Sequence, residues 1–129
     1  MSGKSIRTPM SKVRGLGSAK EGAGHFIAQR VTAIALIFLV PASLVAILTA
    51  AVGDYDTAIA FVTNPIFAVL LLLFTGTAFY HMRLGMQVVI EDYIGKQTTR
   101  LILLMLNTFV SIILFATAAY CIVRVGLGG

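Results

Sequence analysis

The sequence predicts an all-α membrane protein of three transmembrane helices, with its N-terminus inside (cytoplasm or matrix) and its C-terminus outside. Three observations carry that prediction. Of 129 residues, 58% are hydrophobic and only 12% are charged, whereas a soluble domain carries roughly 25% charged residues. Three windows, Val31–Gly53, Thr57–Met82 and Leu101–Val123, contain no Asp, Glu, Lys or Arg and run for 23, 26 and 23 residues. The net charge of +5 lies entirely in residues 1–30, where six basic residues face Glu21 alone.

Each window is long enough for a helix to cross a bilayer, which takes about 20 apolar residues. The runs are continuous rather than alternating, so they read as helices; only helices and closed barrels satisfy every backbone group in lipid. The expected division is a basic extramembrane tail over 1–24 and a three-helix anchor domain over 25–129, with spans near 31–53, 60–86 and 101–123.

The tail is basic and poor in acids, like a transit peptide. It is also rich in Gly and lacks a clean apolar face, so it reads as a solvated anchor for the lipid surface or a soluble partner. No cleavable signal peptide is expected, because the first apolar run starts at Val31 and is of full span length. Without interleaved aromatics, the tail offers no nucleic-acid surface. The first span contains Pro41, a potential kink. The first loop, Asp54-Tyr55-Asp56, has no Lys or Arg. Asn64-Pro65 suits a helix cap followed by proline in the first turn, so the second helix should begin near Pro65. The second loop carries Arg83, Lys96 and Arg100, and Arg124 alone follows the third span. Basic residues favour the inner side, which puts the N-terminus and second loop inside. Cys121, the single cysteine, lies within the third span and reads as a small apolar side chain.

The loops are too short for a folded catalytic domain, so any chemistry involves the spans or larger partners. The sequence shows no metal-site cysteine pattern, phosphate loop or nucleophile–base arrangement, and no carboxylate deep in a span such as a transporter would use. Ionisable groups at the spans are few and therefore informative. His81 lies 16 residues after Pro65, about 24 Å along a helix. It can ligate haem iron, relay a proton or bridge helices. Gly76 and Gly85 near it leave room for a flat ring or a close helix. Arg30 marks the inner end of the first span, where it can snorkel or meet a carboxylate. His25 at the same interface reads as a surface histidine. Glu91-Asp92-Tyr93 follows the second span; a phenol hydroxyl there can anchor at the interface or hold a quinone carbonyl.

The string His81-Met-Arg-Leu-Gly85-Met-Gln-Val-Val-Ile-Glu-Asp92-Tyr93 resembles the signature of the smaller hydrophobic anchor subunit of succinate dehydrogenase, respiratory complex II. Histidine, glycine four residues on, and Asp-Tyr eleven and twelve residues on match that family's pattern. The segment His25 to Ala33, with its Arg-x-Thr-Ala core, is also similar. The resemblance implies that His81 is one axial ligand of a haem b shared with a second anchor subunit, and that Arg30 lies near the haem propionates. It further implies that Tyr93 hydrogen-bonds ubiquinone, with Asp92 supporting that pocket. The partners implied are a flavoprotein subunit, an iron–sulfur subunit and the second anchor, in the tricarboxylic acid cycle and respiratory electron transfer. On this reading the chain is not catalytic alone, and its expected location is a bacterial cytoplasmic membrane rather than the mitochondrial inner membrane. A fumarate reductase anchor and a non-redox membrane interaction protein, with His81 merely bridging helices, are the alternatives.

Overall fold

The computed structural model describes Met10 and residues 19–128, with side chains, Met10 apart, from Gly22 onward. The expectations for most of the basic tail therefore lie outside the described residues. All regular structure among the described residues is helical. We number the helices α1 (Ala19–Val52), α2 (Tyr55–Val62), α3 (Pro65–Tyr93) and α4 (Gln97–Gly126).

The three long helices are each apolar and long enough to cross a membrane. Only 17%, 0% and 6% of their most apolar stretches are buried inside the molecule. Large apolar side chains such as Ile37, Phe38, Ile66 and Phe109 point outward. A soluble protein could not leave this surface uncovered; lipid or partner helices cover it at no cost. Few positions are interior: Leu84 and Ile90 are the large ones among the described residues, and the others are small. Ser43, Ala46 and Ser111 are buried, allowing close helix approach.

Most hydroxyls within the helices are satisfied locally, Ser43, whose Oγ is buried without a partner among the described residues, being an exception. Thr32, Thr49, Thr75, Thr108, Ser111 and Thr117 each donate to the carbonyl four residues back, at 2.7–3.0 Å. Such bonding removes a hydroxyl's need for water.

α3 is central, packing on α1 on one side and on α4 on the other, while α1 and α4 do not touch. Running in alternate directions, the helices gather the start of α1, the end of α3 and the start of α4 at one end of the bundle. This is the basic end; α2 marks the other. α1 runs unbroken through Pro41.

α3 opens at Pro65 as expected, whereas other boundaries differ from the sequence expectation. Asp54, Tyr55 and Asp56 are not a loop: Asp54 caps α2, accepting from the Thr57 backbone N–H at 2.9 Å, and the next two residues begin that helix. The chain turns here at Gly53, where a Cβ would come within 2.8 Å of Thr57 Cγ2. The second apolar window is divided, because Asn64 caps α3 through the Ile66 N–H at 2.9 Å and Pro65 opens it. Phe61 and Phe67 stack across that break, ring centroids 3.5 Å apart. At the basic end α3 continues to Tyr93, so Arg83 and Glu91-Asp92-Tyr93 are helical rather than in a loop. The connection is only Ile94–Lys96, fastened by Arg100 Nε donating to the Ile94 carbonyl at 3.0 Å.

Candidate functional site

His81 is half-buried on the α1 side of α3, and its Nδ1 lies 2.8 Å from Thr32 Oγ1 of α1. The Thr32 hydroxyl proton points to the Ala28 carbonyl at 2.8 Å, as the other span hydroxyls do. When that proton stays directed at the carbonyl, the tautomer that completes the chain has His81 Nδ1–H donating to Thr32 Oγ1 and the lone pair on Nε2. This chain of carbonyl, hydroxyl and imidazole fixes tautomer and ring orientation together, in the way outer hydrogen bonds orient metal-binding histidines.

His81, Phe26, Gln29, Arg30 and Ala33 line one open cavity of about 400 Å³. The Arg30 guanidinium lies over the Phe26 ring, 5.1 Å from its centroid, an arrangement that holds the charge at the cavity wall. Gly85, one turn from His81 on the same face, would place a Cβ 3.9 Å from Gln29 Nε2, so this side stays open. Gly76 behaves differently. It lies on the far side of α3, where a Cβ would press within 3.2 Å of the Phe115 ring of α4; it serves helix packing, not space beside the imidazole.

The sequence-derived candidates therefore divide. His81 and Arg30 share a cavity. Tyr93 and Asp92 lie on the last turn of α3, exposed, with Tyr93 82% accessible. Tyr93 is 12 residues beyond His81, about 18 Å along the axis. The neighbouring Glu91 accepts a hydrogen bond from Gln87 at 2.8 Å. His25 is half-buried rather than on the surface. Its Nε2 is shielded from solvent and has no hydrogen-bond partner among the described residues.

Sequence reasoning missed the parts of the site contributed by Thr32, Gln29 and Phe26, which depend on the register of α1 against α3. It also missed the polar lock between α3 and α4. Asn107 Nδ2 donates to the Arg83 carbonyl at 2.9 Å, and Arg83 Nε donates to Thr108 Oγ1 at 3.2 Å. An amide inside an apolar helix was the available signal, since such groups bond across membrane helices.

No group of three or more His, Cys, Asp or Glu residues could hold a bare metal ion among the described residues. A lone imidazole with a free Nε2, a nearby guanidinium and an open wall instead suits iron already held by a porphyrin and closed over by a second chain.

These features define a class: a polytopic helical membrane protein with one well-oriented histidine facing an open cavity. The family model described as succinate dehydrogenase/fumarate reductase transmembrane subunit matches residues 4–118, and the chain belongs to that family. Curated relatives are each named succinate dehydrogenase hydrophobic membrane anchor subunit. The one from Rickettsia bellii is 36% identical over 118 residues, 89% of this chain and 94% of the relative. That from Paracoccus denitrificans is 31% identical over 121 residues, 94% and 93% of the two chains. The Rickettsia conorii protein is 35% identical over 119 residues, 89% and 94%. No solved structure matches the chain significantly.

Proposed function

We propose that the chain is the smaller membrane anchor of a succinate:ubiquinone oxidoreductase in a bacterial cytoplasmic membrane. It acts in respiratory electron transfer and the tricarboxylic acid cycle and is non-catalytic alone. The relatives' shared name favours succinate dehydrogenase over the fumarate reductases that the family also includes. The observation that carries the cofactor reading is His81 itself: its Nδ1 lies 2.8 Å from Thr32 Oγ1, and its Nε2 makes no hydrogen bond among the described residues. His81 would be one axial ligand of haem b, and Arg30, on the same cavity wall, would meet a propionate. Haem b, when bound, supplies a one-electron redox centre. The second ligand would come from a partner anchor subunit, a reading supported by His25 not being among the residues that line the cavity.

Tyr93 and Asp92 lie at the basic end, on a surface exposed in this chain alone. There the Tyr93 phenol would hydrogen-bond a ubiquinone carbonyl, with Asp92 supporting the pocket and partner chains completing it. The iron–sulfur subunit, fed by the flavoprotein, would dock at this end, on the cytoplasmic face that the basic residues favour.

The test is a mild-detergent purification with a reduced-minus-oxidised spectrum. Wild type should carry a b-type haem and flavoprotein; His81→Ala should lose or strongly alter the haem spectrum, and an unchanged spectrum would sink the ligand assignment. Tyr93→Phe should impair quinone reduction while dye-linked succinate oxidation persists. Equal loss of both would indicate failed assembly instead.

A further inference from the structure

Arg83 is the most deeply placed cation among the described spans. It lies 18 residues from Pro65, and Thr108, its partner, lies 18 residues from Gly126. Both distances correspond to about 27 Å from the α2 end. With a hydrocarbon layer about 30 Å thick beginning at the α2 end, the guanidinium falls just inside the hydrocarbon edge at the basic end, beneath the phosphate layer. A long arginine in this position would normally stretch toward water. Here Nε is tied to Thr108 at 3.2 Å, which holds the side chain against α4. The terminal nitrogens, with four N–H donors between them, make no hydrogen bond to the described residues. Glu91 and Asp92, the nearest acids in sequence, are eight and nine residues further on, at least about 12 Å along the axis.

The guanidinium caps an open apolar cleft of about 140 Å³ between α3 and α4, walled by Gly76, Phe79, Ile112 and Phe115. The cleft leads from Arg83 toward the α2 end, and at Gly76 its floor is backbone packed close under the Phe115 ring, where a Cβ would come within 3.2 Å. Successive helix residues are turned by 100°, so Arg83 and Phe79 lie about 160° around α3 from His81. If His81 shares haem with a second anchor, as proposed above, the partner covers the His81 face and the Arg83 cleft opens to lipid.

We propose that this cleft is a binding site for one anionic phospholipid: the phosphate pairs with the Arg83 guanidinium and an acyl chain lies along Gly76, Phe79, Ile112 and Phe115. The pieces match in charge, depth and shape. A forked guanidinium suits a phosphate diester, and the apolar walls have no other complement among the described residues.

The test is lipid analysis of the whole complex after exhaustive mild-detergent washing. Wild type should retain anionic phospholipid, and Arg83→Gln should retain about tenfold less, the scale of one charge-assisted contact, with its haem spectrum intact. Arg83→Lys should fall between them. In a second measurement, delipidated wild-type complex is mixed with phosphatidylglycerol vesicles, phosphatidylcholine vesicles or inorganic phosphate. Only phosphatidylglycerol should raise its thermal transition. Equal retention by wild type and Arg83→Gln, or equal effects of the two vesicles, would overturn the proposal. So would stabilisation by phosphate alone, which would mean a simple anion site. Loss of the second anchor subunit in Arg83→Gln would show a partner's carboxylate at this position instead. Failure of the haem reading is separable, because it appears as a missing b-type spectrum in wild type whatever lipid is retained.

Discussion

At the scale of single residues, the chain concentrates its chemistry in a few polar atoms whose partners are fixed. The bond between Thr32 and His81 spans two helices, and it is the detail on which the cofactor reading depends most. Replacing Thr32 with the isosteric valine keeps shape and removes the acceptor, freeing the Nδ1 proton and the ring's orientation. Thr32→Val should therefore weaken haem retention on the order of tenfold, within the range for outer-sphere partners of metal ligands, and shift the haem midpoint potential. Thr32→Ser should restore both. A potentiometric titration of the three purified complexes measures this; identical curves would show that Thr32 only packs. His81 and Arg30 were both legible in the sequence, because ionisable groups beside an apolar run are rare and costly. Thr32 was visible only as part of a motif. Its role depends on which turn of α1 meets which turn of α3, and no local pattern encodes that register. Tyr93 illustrates the complementary limit, since it is exposed and no contact within this chain's described residues marks its role.

Among the helices, boundaries were less legible than existence. Charge-free windows identified three spans because the cost of burying charge in lipid is large and local. They overran at Thr57–Asn64, where apolar residues form the separate α2, and stopped short at Arg83, where a charged residue continues a helix. Asn64-Pro65 held the better signal: a side-chain cap and a residue without an N–H start a helix whatever the hydropathy around them. The pairing of α3 with α4 rests on two different contacts, the Asn107 bond to the Arg83 carbonyl and the close fit of Gly76 beneath Phe115. They should differ in weight. Asn107→Leu should cost roughly 0.6 kcal/mol, the average for such bonds in membranes, whereas Gly76→Leu should cost more by forcing the helices apart. Denaturation of the reconstituted complex under a steric trap would rank them; a larger loss from Asn107→Leu would mean that the hydrogen bond, not the glycine, holds the pair.

As a whole molecule, the chain is an open layer of helices in which α3 is the one long helix that packs on both of the others. Most of its apolar surface is left for lipid and other subunits, which accords with membership of a family of transmembrane subunits. Topology belongs to this scale. With the basic end inside, a cysteine at Tyr55 in a Cys121→Ser background should react with a membrane-impermeant thiol reagent added to intact cells. One at Gly95 should react only after permeabilisation. The reverse pattern would invert the orientation, and with it the face proposed for docking of the soluble subunits.

The continuity of α3 has a consequence for how such a chain can vary. His81 and Tyr93 stand on one uninterrupted helix with eleven residues between them and no loop to absorb a change. A substitution in that stretch alters a contact. An inserted or deleted residue swings one position about the axis by 100° relative to the other and shifts it by about 1.5 Å. The segment therefore acts as a fixed ruler and protractor, free to drift in composition and rigid in length.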